Sequence, residues 1–226
     1  MFNLAGKKAF VTGKVGFLAP IWRETLEVAG CEVMSYGLPE DNVRDRDKLL
    51  GIATYFTPDI IVNNAAIDDP PGTKTSIFED CEKIIDVGLL GAVNVCEVFI
   101  HGMIDKGGGV IVNIGSIQGL VGTDWRNYPE GFAKPVGYNL SKAGLVQLSR
   151  SITTQYGRYG VRCVTIAFGA VDVPKLSKEF LIEYLKCVPM GKCVSKEDLM
   201  RAMLFAVTCE SFAGQTVVVD GGYTAW

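Results

Sequence analysis

Tyr138 and Lys142 stand four positions apart in the stretch GYNLSKAG. On a helix that spacing is about one turn, so the phenol and the ammonium share a face. A free tyrosine ionises near pH ~10, too high for ready proton exchange at neutral pH, and a neighbouring ammonium favours the phenolate. Upstream, Ser116 closes the apolar stretch GGVIVNIGS at a strand end. Taken singly, the serine suits a strand-end turn, the tyrosine a helix core and the lysine a solvated face. Together, in this order and downstream of the glycine turn VTGKVGFLAP, they favour a functional reading in which phenol and ammonium form a proton-transfer pair.

Such a trio needs a frame. KKAFVTG, CEVMSYG, PDIIVNNAA, GGVIVNIGSIQG, VRCVTIAFGAV and GQTVVVDGG read as short apolar strands. Between them, helical spacing marks LAPIWRETLEVAG, DNVRDRDKLLGIATYF, Phe78 to Ile104, Tyr138 to Tyr159, Lys178 to Cys187 and Lys196 to Val207. Strands apolar throughout and alternating with helices predict an α/β fold, a doubly wound parallel sheet covered on both faces, in one Rossmann-type domain over residues 1–226. Right-handed connections gather the strand ends Thr12, Asn63, Ser116 and Gly169 along one edge, where ligands bind.

The glycine turn follows the first strand and opens the first helix, as a dinucleotide fingerprint requires. Gly13 permits the tight turn, Gly16 close backbone approach to a pyrophosphate, and Ala19 tight helix packing, while the helix N-terminus offers unpaired N–H groups. Pro20 falls in the first turn, where its missing N–H costs little. The second strand ends MSYGL with no acid for the ribose hydroxyls, and Lys14 suits either a 2′-phosphate or solvent, so NAD and NADP both stay open.

With 48% hydrophobic residues and a net charge of −3, the chain has the composition of a globular domain and no electrostatic footprint for nucleic acid. It has no uninterrupted apolar run of about 18 residues, and Met1 to Gly6 lacks signal-peptide character, which predicts a cytoplasmic protein without a membrane partner. Seven cysteines without CxxC spacing read as reduced thiols, and one histidine, His101, leaves little from which to build a metal site. The expected partners are a small-molecule substrate and copies of the chain itself.

The turn, NNAA, VNIGS, YNLSK and VDGG occur in the order found in the short-chain dehydrogenase/reductase family, which the chain resembles over nearly its whole length. The resemblance implies an NAD(P)-dependent oxidoreductase moving a hydride between nicotinamide and a secondary alcohol or ketone. Tyr138 would be its acid/base, Lys142 the ribose binder that lowers the tyrosine pKa, and Ser116 the oxygen stabiliser. It places Gly13, Val15, Gly16, Phe17 and Leu18 on the cofactor phosphates, Asn42 and Val43 near the adenine, and Asn64, Ala65 and Ala66 behind the adenosine. Ile114, Tyr138, Lys142, Gly169 and Val171 would surround the nicotinamide half. The family is usually tetrameric; the apolar face of Phe78 to Ile104 and the VDGGYTAW tail would suit a tetramer or dimer.

Three departures stand out. Gly88 occupies the position of an asparagine that supports a water relay to the lysine. Phe168 replaces a proline, and Val173 stands near a threonine that holds the carboxamide. Between Ser116 and Tyr138 lies a long insertion with Trp125, Arg126, Tyr128, Phe132 and Lys134. It would serve either as a surface or subunit-contact loop or, with Gln118, as a grip on a polar, anionic substrate, Arg126 offering a fork for a carboxylate. A narrower resemblance, to members from bacterial surface-sugar and flagellin-glycan pathways, brings sugars and sugar acids among the candidate substrates. The competing reading is a non-catalytic subunit or ligand-sensing module on the same fold.

Overall fold

The computed structural model describes residues 3–68, 76–128, 130, 134–173 and 176–226. Six parallel strands form one sheet: β1 (Lys8–Thr12), β2 (Glu32–Tyr36), β3 (Ile60–Asn63), β4 (Gly109–Ile114), β5 (Val161–Phe168) and β6 (Thr216–Val219), in the order β2-β1-β3-β4-β5-β6. Strand side chains alternate between two cores. Ala9, Val11, Val62, Val112 and Ile166 face α1 (Ala19–Val28) and α7 (Lys196–Thr208). Phe10, Ile61, Ile111 and Cys163 face α2 (Arg46–Ala53), α4 (Gly91–Asp105) and α5 (Val136–Tyr156). Phe10, fully buried among Tyr36, Phe56 and Phe99, anchors the second core, and truncating it to alanine would cost about 3–5 kcal/mol.

The sheet ends at β2, so the chain passes from that strand directly into the loop carrying Asn42 and Val43. This is the 2-1-3-4-5 winding extended by one strand, and its switch point lies between the carboxyl ends of β1 and β3.

The stretch from Cys81 to Asp105 is not one regular helix. After α3 (Cys81–Ile85) the chain makes a π turn over Asp86–Leu90 before α4 begins. Mean hydropathy over an 18-residue window of Cys81–Asp105 reaches 1.7, enough by length and composition alone for a bilayer span. In this fold its apolar face is a core face, with Val95, Phe99 and Met103 at 1% exposure or less. The seven cysteines are free thiols; Cys96 and Cys163 are buried and Cys209 half-buried.

Helix α5, which carries Tyr138 and Lys142, is fixed to the sheet by a buried polar ladder. Asn63 and Asn113 pair in register on β3 and β4, and Asn63 Nδ2 donates to Asn113 Oδ1 at 2.9 Å. Asn113 Nδ2 donates in turn to Ser149 Oγ (2.9 Å) and Leu145 O (3.3 Å) on α5, and Ser149 Oγ meets Thr165 Oγ1 of β5 at 2.8 Å. Buried polar groups are costly unless paired, so this ladder holds α5 at one register on the sheet. The remaining helix is α6 (Lys178–Lys186).

Candidate active site

A cleft of about 440 Å³ runs across the carboxyl ends of β1, β3, β4 and β5. At one end sits the glycine turn. Gly13 has φ 75°, and a Cβ there would lie 2.8 Å from Ala65 Cα, so only glycine allows the turn to lie against the end of β3. Thr12 Oγ1 accepts from the amides of Asn64 (3.0 Å) and Ala65 (3.1 Å), and Asn64 Oδ1 accepts from Trp22 Nε1 at 2.9 Å. These bonds lock β3 to the turn. Leu18 caps α1 without a side-chain hydrogen bond, and the amides of Phe17 and Leu18 have no acceptor among the described residues. A helix N-terminus with orphan donors beside a glycine cradle fits a dinucleotide pyrophosphate.

Gly16, Phe17, Leu18, Asn64 and Ala66 line the cleft. Val15 does not line it and is 70% exposed. Gly13, Asn42, Val43 and Ala65 are not in its wall: Asn42 Oδ1 accepts from the Arg44 amide at 2.9 Å, and the Val43 side chain points into the second core. Lys14 is not free for a phosphate, because it forms ion pairs with Glu40 and Asp41, and its hydrogen bond holds the Glu40 carboxyl below the usual range.

At the middle of the cleft Ser116, Tyr138 and Lys142 come together. Ser116 starts a 3-10 turn at the end of β4, its Oγ accepting from the Gln118 amide at 3.2 Å, and lines the cleft together with Tyr138. Lys142, 4% exposed, donates to Ile114 O at 2.7 Å, with Nζ 5.5 Å from the centre of the Tyr138 ring. Burial pushes the Tyr138 phenol well above its ordinary value; the Asp68 carboxylate adds to this and the Ser116 hydroxyl opposes it. Glycines set the height of the helix. A Cβ on Gly137 would lie 2.8 Å from Cys81 Cα, and one on Gly119 would lie 2.6 Å from the Lys142 carbonyl carbon.

Beyond the trio the wall is aromatic. Tyr128, Phe180 and Tyr184 line the cleft, with ring centroids 5.0 Å apart for the first pair and 5.4 Å for the second. Tyr184 OH accepts from the Ala170 amide at 2.9 Å and packs on Gly169, steadying the segment that carries Val171. Asn127 Nδ2 donates to Tyr223 OH at 3.0 Å, which ties the insertion to the C-terminal tail. Gln118 lines the cleft and accepts from Thr123 Oγ1 at 2.7 Å.

Arg126 does not reach this wall. Its guanidinium is 85% exposed and closes bidentately on Asp124, at 2.8 and 2.7 Å, the short 3-10 turn Trp125–Asn127 directing it outward. A second cation lines the cleft beside Lys142: Lys134, ion-paired with Asp68. Phe132 lies outside the described residues. Asp68, Phe180 and Tyr184 were not marked by the sequence reading. The only local signal was the KPVGYNLSK spacing, which puts a lysine four positions to either side of Tyr138.

The departures have local causes. Gly88 sits in the π turn, where a Cβ would lie 3.2 Å from Ser141 Oγ, so Ser141 already closes the space an asparagine would enter. Asn94 donates to Val43 O at 3.3 Å and belongs to the scaffold. Phe168 stacks on Trp22 at 5.8 Å, and Val173 is buried at the cleft wall.

A glycine turn with orphan helix amides, joined in one cleft to Ser116, Tyr138 and Lys142, has the layout of a dinucleotide-linked oxidoreductase of the doubly wound class. A family model described as enoyl-(acyl carrier protein) reductase matches residues 52–224. The chain is 34% identical over 176 residues to a 3-oxoacyl-[acyl-carrier-protein] reductase, FabG, of Chlamydia muridarum, covering 76% of this chain and 67% of that protein. It is 29% identical over 164 residues to carbonyl reductase family member 4 of Xenopus laevis, covering 73% and 66%. In structure it is similar to a gluconate 5-dehydrogenase from Burkholderia cenocepacia in complex with NADP and tartrate (TM-score 0.84, 21% identity, 100% and 98% covered). A short chain dehydrogenase from Leptospira borgpetersenii with bound NAD+ aligns with TM-score 0.84 at 22% identity, covering 98% and 94%; likenesses at this identity carry the fold. The chain belongs to the short-chain dehydrogenase/reductase family, and is by that membership an NAD(P)-dependent oxidoreductase.

Proposed function

We propose that the chain interconverts a secondary alcohol and a ketone on a polyhydroxylated substrate, a sugar or sugar acid, with Tyr138, Ser116 and Lys142 as its catalytic residues. The observation that carries this is the meeting of Ser116, Tyr138 and Lys142, with Lys142 Nζ 5.5 Å from the Tyr138 ring centre, in the same cleft as the orphan amides of Phe17 and Leu18. The nicotinamide supplies or accepts the hydride. Phe17 and Leu18 N–H hold the pyrophosphate, Lys142 reaches the ribose, and the strand-end segment Gly169 to Val171 faces the nicotinamide half. Ser116 Oγ–H donates to the substrate oxygen while Tyr138 gives it a proton in reduction or takes one in oxidation. The aromatic wall of Tyr128 and Phe180 offers a face for a sugar ring, and Gln118, Asp68 and Lys134 offer donors and acceptors for hydroxyls.

Seven free thiols suit a reducing compartment such as the cytoplasm. Phe78, Leu90 and Trp226, at 73%, 46% and 81% exposure, support a homo-oligomer, a dimer or tetramer, in which they are covered.

Thermal-shift titration with NAD, NADH, NADP and NADPH tests the cofactor site, since a ligand bound only to the native state raises stability. No shift with any of the four would overturn the reading. With the nucleotide in hand, turnover of sugar alcohols and uronic acids is expected to fall about 10²–10⁴-fold in Tyr138→Phe with cofactor affinity retained. Equal rates in parent and variant would remove Tyr138 from the chemistry.

A further inference from the structure

The cation nearest to Tyr138 is not the lysine one helical turn below it. Lys134 Nζ lies 4.0 Å from the centre of the Tyr138 ring, against 5.5 Å for Lys142 Nζ, whose ammonium donates to Ile114 O. Lys134 precedes Pro135, the residue that caps α5, so it folds back over the ring from the end of the insertion. Its side chain is 13% exposed and ion-paired with Asp68, which reaches the cleft from the loop after β3. Partial burial limits solvent screening of both charges.

We infer that Lys134 is a positioning residue that tunes the acidity of Tyr138 through its ring face, and that Asp68 works against it. Ionising a phenol adds negative charge to the ring, so an ammonium over the face stabilises the phenolate more than the phenol. The Asp68 carboxylate, close to the same ring, has the opposite sign of effect. The other groups facing the phenol are the Ser116 hydroxyl from the end of β4, Lys142 from α5 itself and the Tyr128 phenol from the insertion. None of these changes when Lys134 or Asp68 is replaced, so the pair can be read by the direction of the shift. The inference rests on the oxidoreductase reading only for the use made of Tyr138, and its test needs neither cofactor nor substrate.

Site-specific replacement of Tyr138 by a difluorotyrosine, whose phenol is more acidic than tyrosine, brings its titration below the pH at which the chain unfolds and gives a single ¹⁹F signal. Lys134→Met is expected to raise the midpoint by about one pH unit and Asp68→Asn to lower it by a similar amount, while Lys134→Arg keeps the parent value. A role confined to packing would admit water to the phenol in every variant and lower the midpoint in each. Lys134→Met and Lys134→Arg titrating alike, or Lys134→Met and Asp68→Asn moving in the same direction, overturns the inference. Should Lys134→Met fail to fold, Lys134→Gln takes its place, and a midpoint unchanged or lowered in that variant overturns the inference. The nucleotide thermal shift reports separately on the oxidoreductase reading, so the two can fail independently.

Discussion

At the glycine-turn end of the cleft the chain presents backbone; at the opposite end it presents side chains. Gly16 and the amides of Phe17 and Leu18 form a surface whose shape is fixed by dihedral angles, by Gly13 behind it and by the bonds from Thr12 and Asn64. Tyr128, Lys134, Asp68, Phe180 and Tyr184 arrive from three separate connections and meet only because those connections fold over the same strand ends. A wall made of backbone tolerates almost no change in chemistry. One made of side chains is replaceable piece by piece, which is how a scaffold keeps its cofactor while changing its substrate.

The sharpest way to break the contrast is Gly13→Ala. With φ at 75° and a Cβ placed 2.8 Å from Ala65 Cα, the turn must move, and nucleotide affinity measured by titration is expected to fall at least ~10²-fold, displacements of order 1 Å having that effect on positioned groups. Phe180→Ala should act on the other wall alone. It removes an aromatic face without touching the glycine turn, so the expected result is a KM raised about tenfold with unchanged nucleotide affinity, read from steady-state kinetics. Glu40→Gln is milder. It takes one of two carboxylates from Lys14 and makes the turn more positive, so the ratio of NADP to NAD affinity is expected to rise a few-fold, less at high salt. Arg126→Ala is expected to leave both constants where they are, because the guanidinium is spent on Asp124 and faces solvent.

Legibility in the sequence followed the same division. All six strands and their order along the chain were readable, because strands buried on both faces show as continuous apolar runs. So were the glycine turn and the trio Ser116, Tyr138 and Lys142, whose spacing is set by a strand end and one helical turn. What the sequence did not disclose depends on distance in the chain. Asp68 lies 66 positions from Lys134, and no local pattern links them. Arg126 offers a fork for a carboxylate, but Asp124, two positions before it, takes that fork and turns it outward. The run Asp86–Leu90 is rich in apolar residues on every side, so its pattern does not mark the π turn.

The side-chain amide of Asn113 lies fully enclosed between β4, α5 and β5, with donors to Ser149, Leu145 and Cys163. Its protons meet solvent only when α5 lifts from the sheet, so their hydrogen–deuterium exchange reports the free energy of that opening. A resonance from one asparagine thereby becomes an internal gauge for the helix that carries Tyr138, read without substrate or nucleotide.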